Sequence, residues 1–204
     1  MVAGVIIAGG MARRLQGADK PLVPVAGRPL AGHVVARFRP QVDALLLNAN
    51  GDPARFAGLG VSVQEDMVPG DGPLAGLLTG MLWARGMLPE AEWLASVPVD
   101  TPFLPTDLVQ RLHAAAVAQD AECAMARSEG RAHPIIAVWW LGLASELQSA
   151  MANGLRRVEG FLADHRVVQV SWDSRPVDPF FNVNTREDLH EAARLAGGMR
   201  IGPP

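Results

Sequence analysis

The sequence predicts an α/β fold: a doubly wound, mostly parallel sheet covered by helices on both faces. Three observations predict it. Short β-rich runs alternate with helical patterns in the order βαβα. Runs such as Val5-Ile6-Ile7 and Leu45-Leu46-Leu47 are apolar on both sides of the pleat, which suits strands covered by helices on both faces. Glycines follow the first run at once, at Gly9-Gly10, where backbone can approach a ligand closely.

The elements follow in order. A strand over Ala3 to Ala8 leads to a helix over Pro29 to Phe38, and a strand over Ala44 to Asn48 comes next. A strand over Val61 to Gln64 precedes a helix over Leu74 to Arg85, and one over Trp93 to Val97 precedes a helix over Thr106 to Ala118. Beyond Ala118 the order is more mixed: runs Glu122 to Ala126 and Ile135 to Trp140, a helix Leu141 to Ala152, a strand Val167 to Val170 and a closing helix Thr185 to Ala196. No linker, repeat or charge block separates the parts, so residues 1–204 read as one domain, with halves at 1–118 and 119–196 and a frayed tail at 197–204.

A chain of 204 residues buries roughly 70% of its unfolded surface, enough for a substantial core. The net charge of -3 argues against a broad nucleic-acid surface, which needs clustered excess cations. Cys123 is the sole cysteine, so an internal disulfide and a thiolate zinc cluster are excluded. Met1 to Ala8 lacks a basic leader and reads as a buried strand, and no apolar stretch reaches membrane-spanning length. A reducing, cytoplasmic location is expected. Among 18 basic residues the only lysine is Lys20.

That lysine closes the segment Ala8-Gly9-Gly10-Met11-Ala12-Arg13-Arg14-Leu15-Gln16-Gly17-Ala18-Asp19-Lys20-Pro21. Glycines after a first parallel strand let N–H groups reach a phosphate chain, and Arg13, Arg14 and Lys20 add positive charge. The segment is not a Walker A loop, because Pro21 stands where Ser or Thr is required, nor is it G-x-G-x-x-G. Read blandly, it is a glycine turn with solvated arginines.

Asp100, in Pro98-Val99-Asp100-Thr101-Pro102, lies just past a strand's carboxyl end, where open α/β sheets bind ligands. One aspartate beside a triphosphate suffices for magnesium, which fills its other positions with water and phosphate oxygens. A turn residue or helix cap is the alternative. Two more strand-end loops converge there in a parallel sheet: Asn48-Ala49-Asn50, and Glu65-Asp66 through Gly76. Their amide and carboxylate groups can read a base or ribose.

Together, Ala8-Gly9-Gly10 to Arg13, Asp19-Lys20, Gly27-Arg28-Pro29-Leu30, Asn48-Ala49-Asn50, Glu65-Asp66, Gly72-Pro73-Leu74-Ala75-Gly76 and Asp100-Thr101-Pro102 resemble the molybdenum cofactor guanylyltransferase family. The resemblance continues through His133-Pro134, Gly154-Leu155-Arg156-Arg157-Val158 and Phe181-Asn182-Val183-Asn184-Thr185, nearly the whole chain. It implies a Rossmann-like, three-layer α/β/α nucleotidyltransferase fold around a mostly parallel central sheet, with a nucleotide-binding half (1–118) and an acceptor-binding half (119–196). GTP would lie over Ile7, Ala8, Gly9 and Gly10, with Lys20 and Arg13 at its phosphates, Asn48 and Asp66 on the nucleoside side, and Asp100 holding Mg²⁺. Asn182, Asn184 and Arg156 match the region associated with molybdopterin. The chain departs from the family at Leu15-Gln16-Gly17, where Met-Gly-Gly is commoner, which bears on the loop's backbone geometry.

The implied reaction is attack by the terminal phosphate of molybdenum-molybdopterin on the α-phosphorus of GTP, expelling pyrophosphate and forming a guanine dinucleotide cofactor. Transient contact with molybdoenzymes or other cofactor-synthesis proteins is expected; nucleic acid and membrane are not. The nucleophile is already anionic, so no general base is assigned. His33, His113, His165 and His190 read as packing or surface residues, and His133 as either a positioning or a structural one. The asparagines are expected to serve the acceptor and Asp100 the nucleotide, with helix capping by Asn184 or Thr185 as the alternative. A cytidylyltransferase on the same pterin is the nearest rival, although it more often carries Ala-Ala-Gly at the first loop. Sugar-phosphate nucleotidyltransferases and a non-catalytic delivery module follow.

Overall fold

The computed structural model describes residues 1–9, 19–68 and 72–198. In chain order the elements are β1 (Val2–Ile7), the short strands β2 (Pro24–Val25) and β3 (Arg28–Pro29), α1 (Leu30–Phe38), β4 (Ala44–Asn48), β5 (Ser62–Gln64), α2 (Pro73–Met87) and β6 (Trp93–Pro98). Then come α3 (Leu108–Ala118), β7 (Cys123–Ser128), β8 (Arg131–Trp140), α4 (Ala144–Ala152), α5 (Val158–Leu162), β9 (Val167–Ser171) and α6 (Arg186–Gly198).

Seven strands form one sheet in the order β5-β4-β1-β6-β8-β7-β9. Pairing is parallel throughout except at β8, which runs antiparallel to both β6 and β7. The sheet is therefore mostly parallel, as the apolar runs predict, and it passes unbroken from the first half of the chain into the second.

Alternation along the strands sorts the core into two layers. Ala3, Val5 and Ile7 pack with α2, α4 and α5, whereas Ile6, Leu45, Leu47 and Val97 pack with α1 and α3. Gly76 and Gly80, one turn apart on α2, let that helix lie against β1: a Cβ on Gly80 would stand 2.9 Å from Val5. Burial of these apolar faces drives the fold, at about 25 cal/mol per Å² removed from water. A third cluster (Val25, Leu30, Phe103, Val183, Ala192 and Ala196) fastens α6 to the β2–β3 ribbon.

Several boundaries differ from expectation. β8 begins at Arg131 rather than Ile135 and contains Pro134. The ladder tolerates this because Ala126 pairs with His133 and Met125 with Ala137, leaving residues 134–136 outside the pairing with β7, and a bulge is where a strand can hold proline. The helix expected from Leu141 starts with a 3₁₀ turn over Leu141–Leu143 before α4. α6 continues to Gly198, past the expected start of the tail at 197, while residues 199–204 lie outside those described.

Candidate active site

The chain leaves β1 for β4 and β5 on one side, then returns to β6 on the other, so the strand order reverses at β1 and opens a crevice at the carboxyl ends. Ile7 ends β1 there. Its carbonyl accepts from Val99 N–H, and Ala8 N–H donates to the Asn48 carbonyl, which seats Ile7, Ala8 and Gly9 between the ends of β4 and β6. Gly10, Arg13, Arg14 and Gln16 fall outside the described residues.

Lys20 opens a 3₁₀ turn, Lys20–Leu22, and its Nζ donates to Asp100 Oδ2 at 2.5 Å and to Asn184 Oδ1 at 2.8 Å. Both charged side chains are only 15% exposed. One ammonium thus ties together the arm after the first loop, the end of β6 and the segment before α6. Asp100 Oδ1 is buried with no hydrogen-bond partner among the described residues. A buried carboxylate oxygen left open is costly unless something fills it, and a hard divalent cation prefers such an oxygen. Asp100 therefore fits a magnesium-type ion as a single protein ligand; no cluster of three or more potential ligands occurs among the described residues.

At the carboxyl ends of β4 and β5, Asn48, Asn50 and Asp66 form one network. Asn48 Nδ2 donates to Asp66 Oδ1 at 3.0 Å and to the Gln64 carbonyl at 3.3 Å. Asn50 Nδ2 donates to Asp66 Oδ2 at 2.8 Å, and the Asp66 N–H returns a bond of 2.9 Å to Asn50 Oδ1. A carboxylate only accepts, so the Asn48 amide must turn its nitrogen to Asp66 and its oxygen away. That oxygen is buried and unpartnered. It faces Gly76, where a Cβ would collide with it. Glu65 is exposed beside this network.

Next to Asp100, Val183 is fully buried and its N–H donates to the Asp100 carbonyl at 2.9 Å. Asn182 and Asn184, on either side, both line a cleft of about 600 Å³ that also includes Asp100, Ser128, His133 and Phe180. The helix is capped by Thr185, whose Oγ1 accepts from Asp188 N–H at 3.1 Å, while Asp188 Oδ2 accepts the N–H groups of Asn184 and Thr185 at 2.8 Å each. The Asn184 side chain is thereby left for Lys20. Burial alone would raise the Asp188 carboxyl, but these hydrogen bonds, with the Lys20 charge, bring it below the ordinary carboxylate value. Arg156 is not brought into the cleft: it is exposed, and its Nη1 donates to the Met151 and Leu155 carbonyls.

His133 lines the cleft, with Nε2 2.9 Å from Ser128 Oγ and its ring 5.0 Å from that of Phe180. Burial, with a smaller contribution from Arg131, pushes its pKa below the ordinary histidine value against an opposing pull from Asp178, which favours the neutral ring. His33 bonds the Val25 carbonyl, His113 packs edge-on to Trp93, and His165 bonds the Phe161 carbonyl, all structural contacts. Sequence reasoning missed Arg55 and Asp188. The Thr185-x-x-Asp188 spacing was a legible sign of the second; nothing in the sequence singles out the first.

A mostly parallel sheet with polar groups and an open carboxylate oxygen at the switch point is an arrangement that suits a nucleotidyltransferase. The chain belongs to the MobA-like NTP transferase family, whose model matches residues 4–198. It is similar to the molybdenum cofactor guanylyltransferase of Rhodopseudomonas palustris (strain BisB5), with 52% identity over 194 residues, 94% of this chain and 92% of that one. The molybdenum cofactor guanylyltransferase of Bradyrhizobium sp. (strain ORS 278) is 50% identical over 197 residues, covering 96% and 93%. The crystal structure of molybdopterin-guanine dinucleotide biosynthesis protein A from Archaeoglobus fulgidus shares the fold, with a TM-score of 0.75, 22% identity and coverage of 98% and 100%.

Proposed function

We propose that the protein transfers GMP from Mg-GTP to molybdenum-molybdopterin, releasing pyrophosphate and forming the guanine dinucleotide form of the cofactor. The observation that carries this reading is the Lys20 ammonium bonded at once to Asp100 and Asn184, with Asp100 Oδ1 left open. It supports a reaction centre where a nucleotide site and an acceptor cleft meet. The names of relatives about half identical over nearly the full chain support the choice of substrates.

Asp100 would hold the Mg²⁺, whose chemistry is to neutralise charge on the triphosphate oxygens. Lys20 sits beside that carboxylate and supplies a compact positive charge for phosphate oxygens gathering charge in the transition state. Asn184, its oxygen taken by Lys20, turns its two N–H donors elsewhere, suited to an anionic acceptor oxygen. Asn182 lines the same cleft. The Asn48 oxygen can only accept, so it selects a ligand group that donates, such as a base N–H or a ribose hydroxyl. The acceptor phosphate is itself the nucleophile, so orientation and charge stabilisation suffice without a general base.

The test compares GTP, CTP, ATP and UTP for pyrophosphate release with molybdenum-molybdopterin as acceptor. Strong preference for GTP is expected. Equal turnover of GTP and CTP would refute the guanylyl assignment, and release without acceptor would refute the transfer.

A further inference from the structure

The Asn48–Asp66–Asn50 network and the Lys20 arm belong to separate loops, yet one side chain spans them. Arg55 lies in the 3₁₀ segment Pro53–Leu59, started by Asp52, whose Oδ1 accepts from Ala54 N–H at 2.9 Å. Its Nη1 meets Asp19 Oδ2 at 3.1 Å, and its Nη2 donates to the Asn50 carbonyl at 2.6 Å. The guanidinium also packs over the ring of Phe56, 4.6 Å from its centroid, and that ring is buried. Asp19 immediately precedes Lys20. Asn50 holds Asp66 from two sides, and Asp66 sets the direction of the Asn48 oxygen. One ion pair, a set of hydrogen bonds and the short backbone steps at Asp19-Lys20 and Asn50 therefore connect the arm carrying Lys20 to the side-chain amide of Asn48, and Arg55 is the link between them.

We propose that Arg55 is a positioning residue that fixes the phosphate-side arm relative to the nucleoside-reading network, and so sets nucleotide affinity and base discrimination. The inference rests on the nucleotide-site reading above. Magnitudes separate it from a purely structural role. The Arg55 and Asp19 side chains are 32% and 36% exposed, and an ion pair that open adds little to stability. Its effect belongs instead to geometry: with the link gone the two arms hold their ligand groups independently, and a bound nucleotide must order both. Lysine cannot substitute, because it lacks a planar fork to engage a carboxylate and a carbonyl in two fixed directions.

The experiment measures equilibrium binding of Mg-GTP and Mg-CTP, melting temperature, and kcat with molybdenum-molybdopterin. The proteins are the wild type, Arg55→Ala, Arg55→Lys, Asp19→Asn and the Arg55→Ala/Asp19→Asn double variant. Arg55→Ala should weaken GTP binding about tenfold and narrow the GTP-to-CTP ratio at least about threefold, with kcat within about twofold of wild type. Arg55→Lys should resemble Arg55→Ala, and the double variant should be no worse than Arg55→Ala, since both substitutions break one link. Unchanged GTP affinity and selectivity in Arg55→Ala would overturn the proposal. So would additive losses in the double variant, which would mean separate contacts, or a lowered melting temperature with selectivity intact. A wild-type protein that binds GTP and CTP alike would overturn the guanylyl reading, and this inference with it.

Discussion

Lys20 donates to Asp100 and to Asn184 with the same ammonium, so the groups that the sequence divides between nucleotide and acceptor share a bond. Lys20→Ala should slow transfer by about 2 to 4 kcal/mol in barrier height while leaving the fold intact, read as kcat/KM alongside the melting temperature. Near-wild-type turnover in a folded variant would remove Lys20 from the mechanism. Lys20→Arg should recover little, because a planar fork cannot take the place of a point charge held 2.5 Å from one carboxylate oxygen. Asn184→Ala should chiefly impair acceptor binding. It should also loosen Lys20 and reduce GTP affinity by a smaller factor, whereas Asn182→Ala should touch the acceptor alone; separate binding titrations of the two ligands distinguish these outcomes. The sequence made Lys20 and Asp100 visible as single residues of unusual position. It did not reveal that they are bonded, because a contact across 80 positions leaves no periodic trace.

At the scale of elements, legibility followed length and regularity. The strand over Ala44–Asn48 was readable to the residue, since its apolar run is bounded on both sides. The β2–β3 ribbon, two residues to a strand, and the five-residue α5 are too short to set up a period. Pro134 concealed the start of β8, because proline signals a break unless a bulge is known to accommodate it. The capping alternative is settled in favour of Thr185, so Thr185→Ala should cost about 1 kcal/mol in thermal unfolding. Asp188 adds a pH dependence to the same cap. Its folded pKa lies below the ordinary value, so its stabilisation is present above the unfolded carboxylate range and is lost as pH falls through the folded pKa. The stability difference between wild type and Asp188→Ala should hold at neutral pH, begin to shrink near about pH 4 and be lost only as pH falls further through the lowered folded value, as thermal melts across pH would show. Gly76→Ala places a methyl against Asn48 Oδ1 and 3.0 Å from Ile7 Cγ2; it should destabilise by about 1 to 3 kcal/mol and weaken GTP binding.

Across the whole molecule, the architecture explains why loops far apart in sequence meet at one place. Reversal of the strand order at β1 brings the ends of β1, β4, β5 and β6 to one edge, and α6, held by its own apolar cluster, lays Asn182 and Asn184 beside Asp100. The βαβα order and apolar strands made that convergence predictable, whereas the cleft lined by Asp100, Asn182 and Asn184 depends on the antiparallel β8 and its bulge, for which the mixed second half gave no clear pattern. The proposed reaction at this edge is attack by the acceptor phosphate on the α-phosphorus of GTP. The most direct measurement incubates the protein and Mg²⁺ with molybdenum-molybdopterin and GTP labelled at either the α- or the γ-phosphorus, then separates the pterin product from pyrophosphate. Guanylyl transfer should leave α-label in the pterin product and γ-label in pyrophosphate, with both abolished in Asp100→Ala; γ-label in the pterin product, or full transfer by Asp100→Ala, would rule it out.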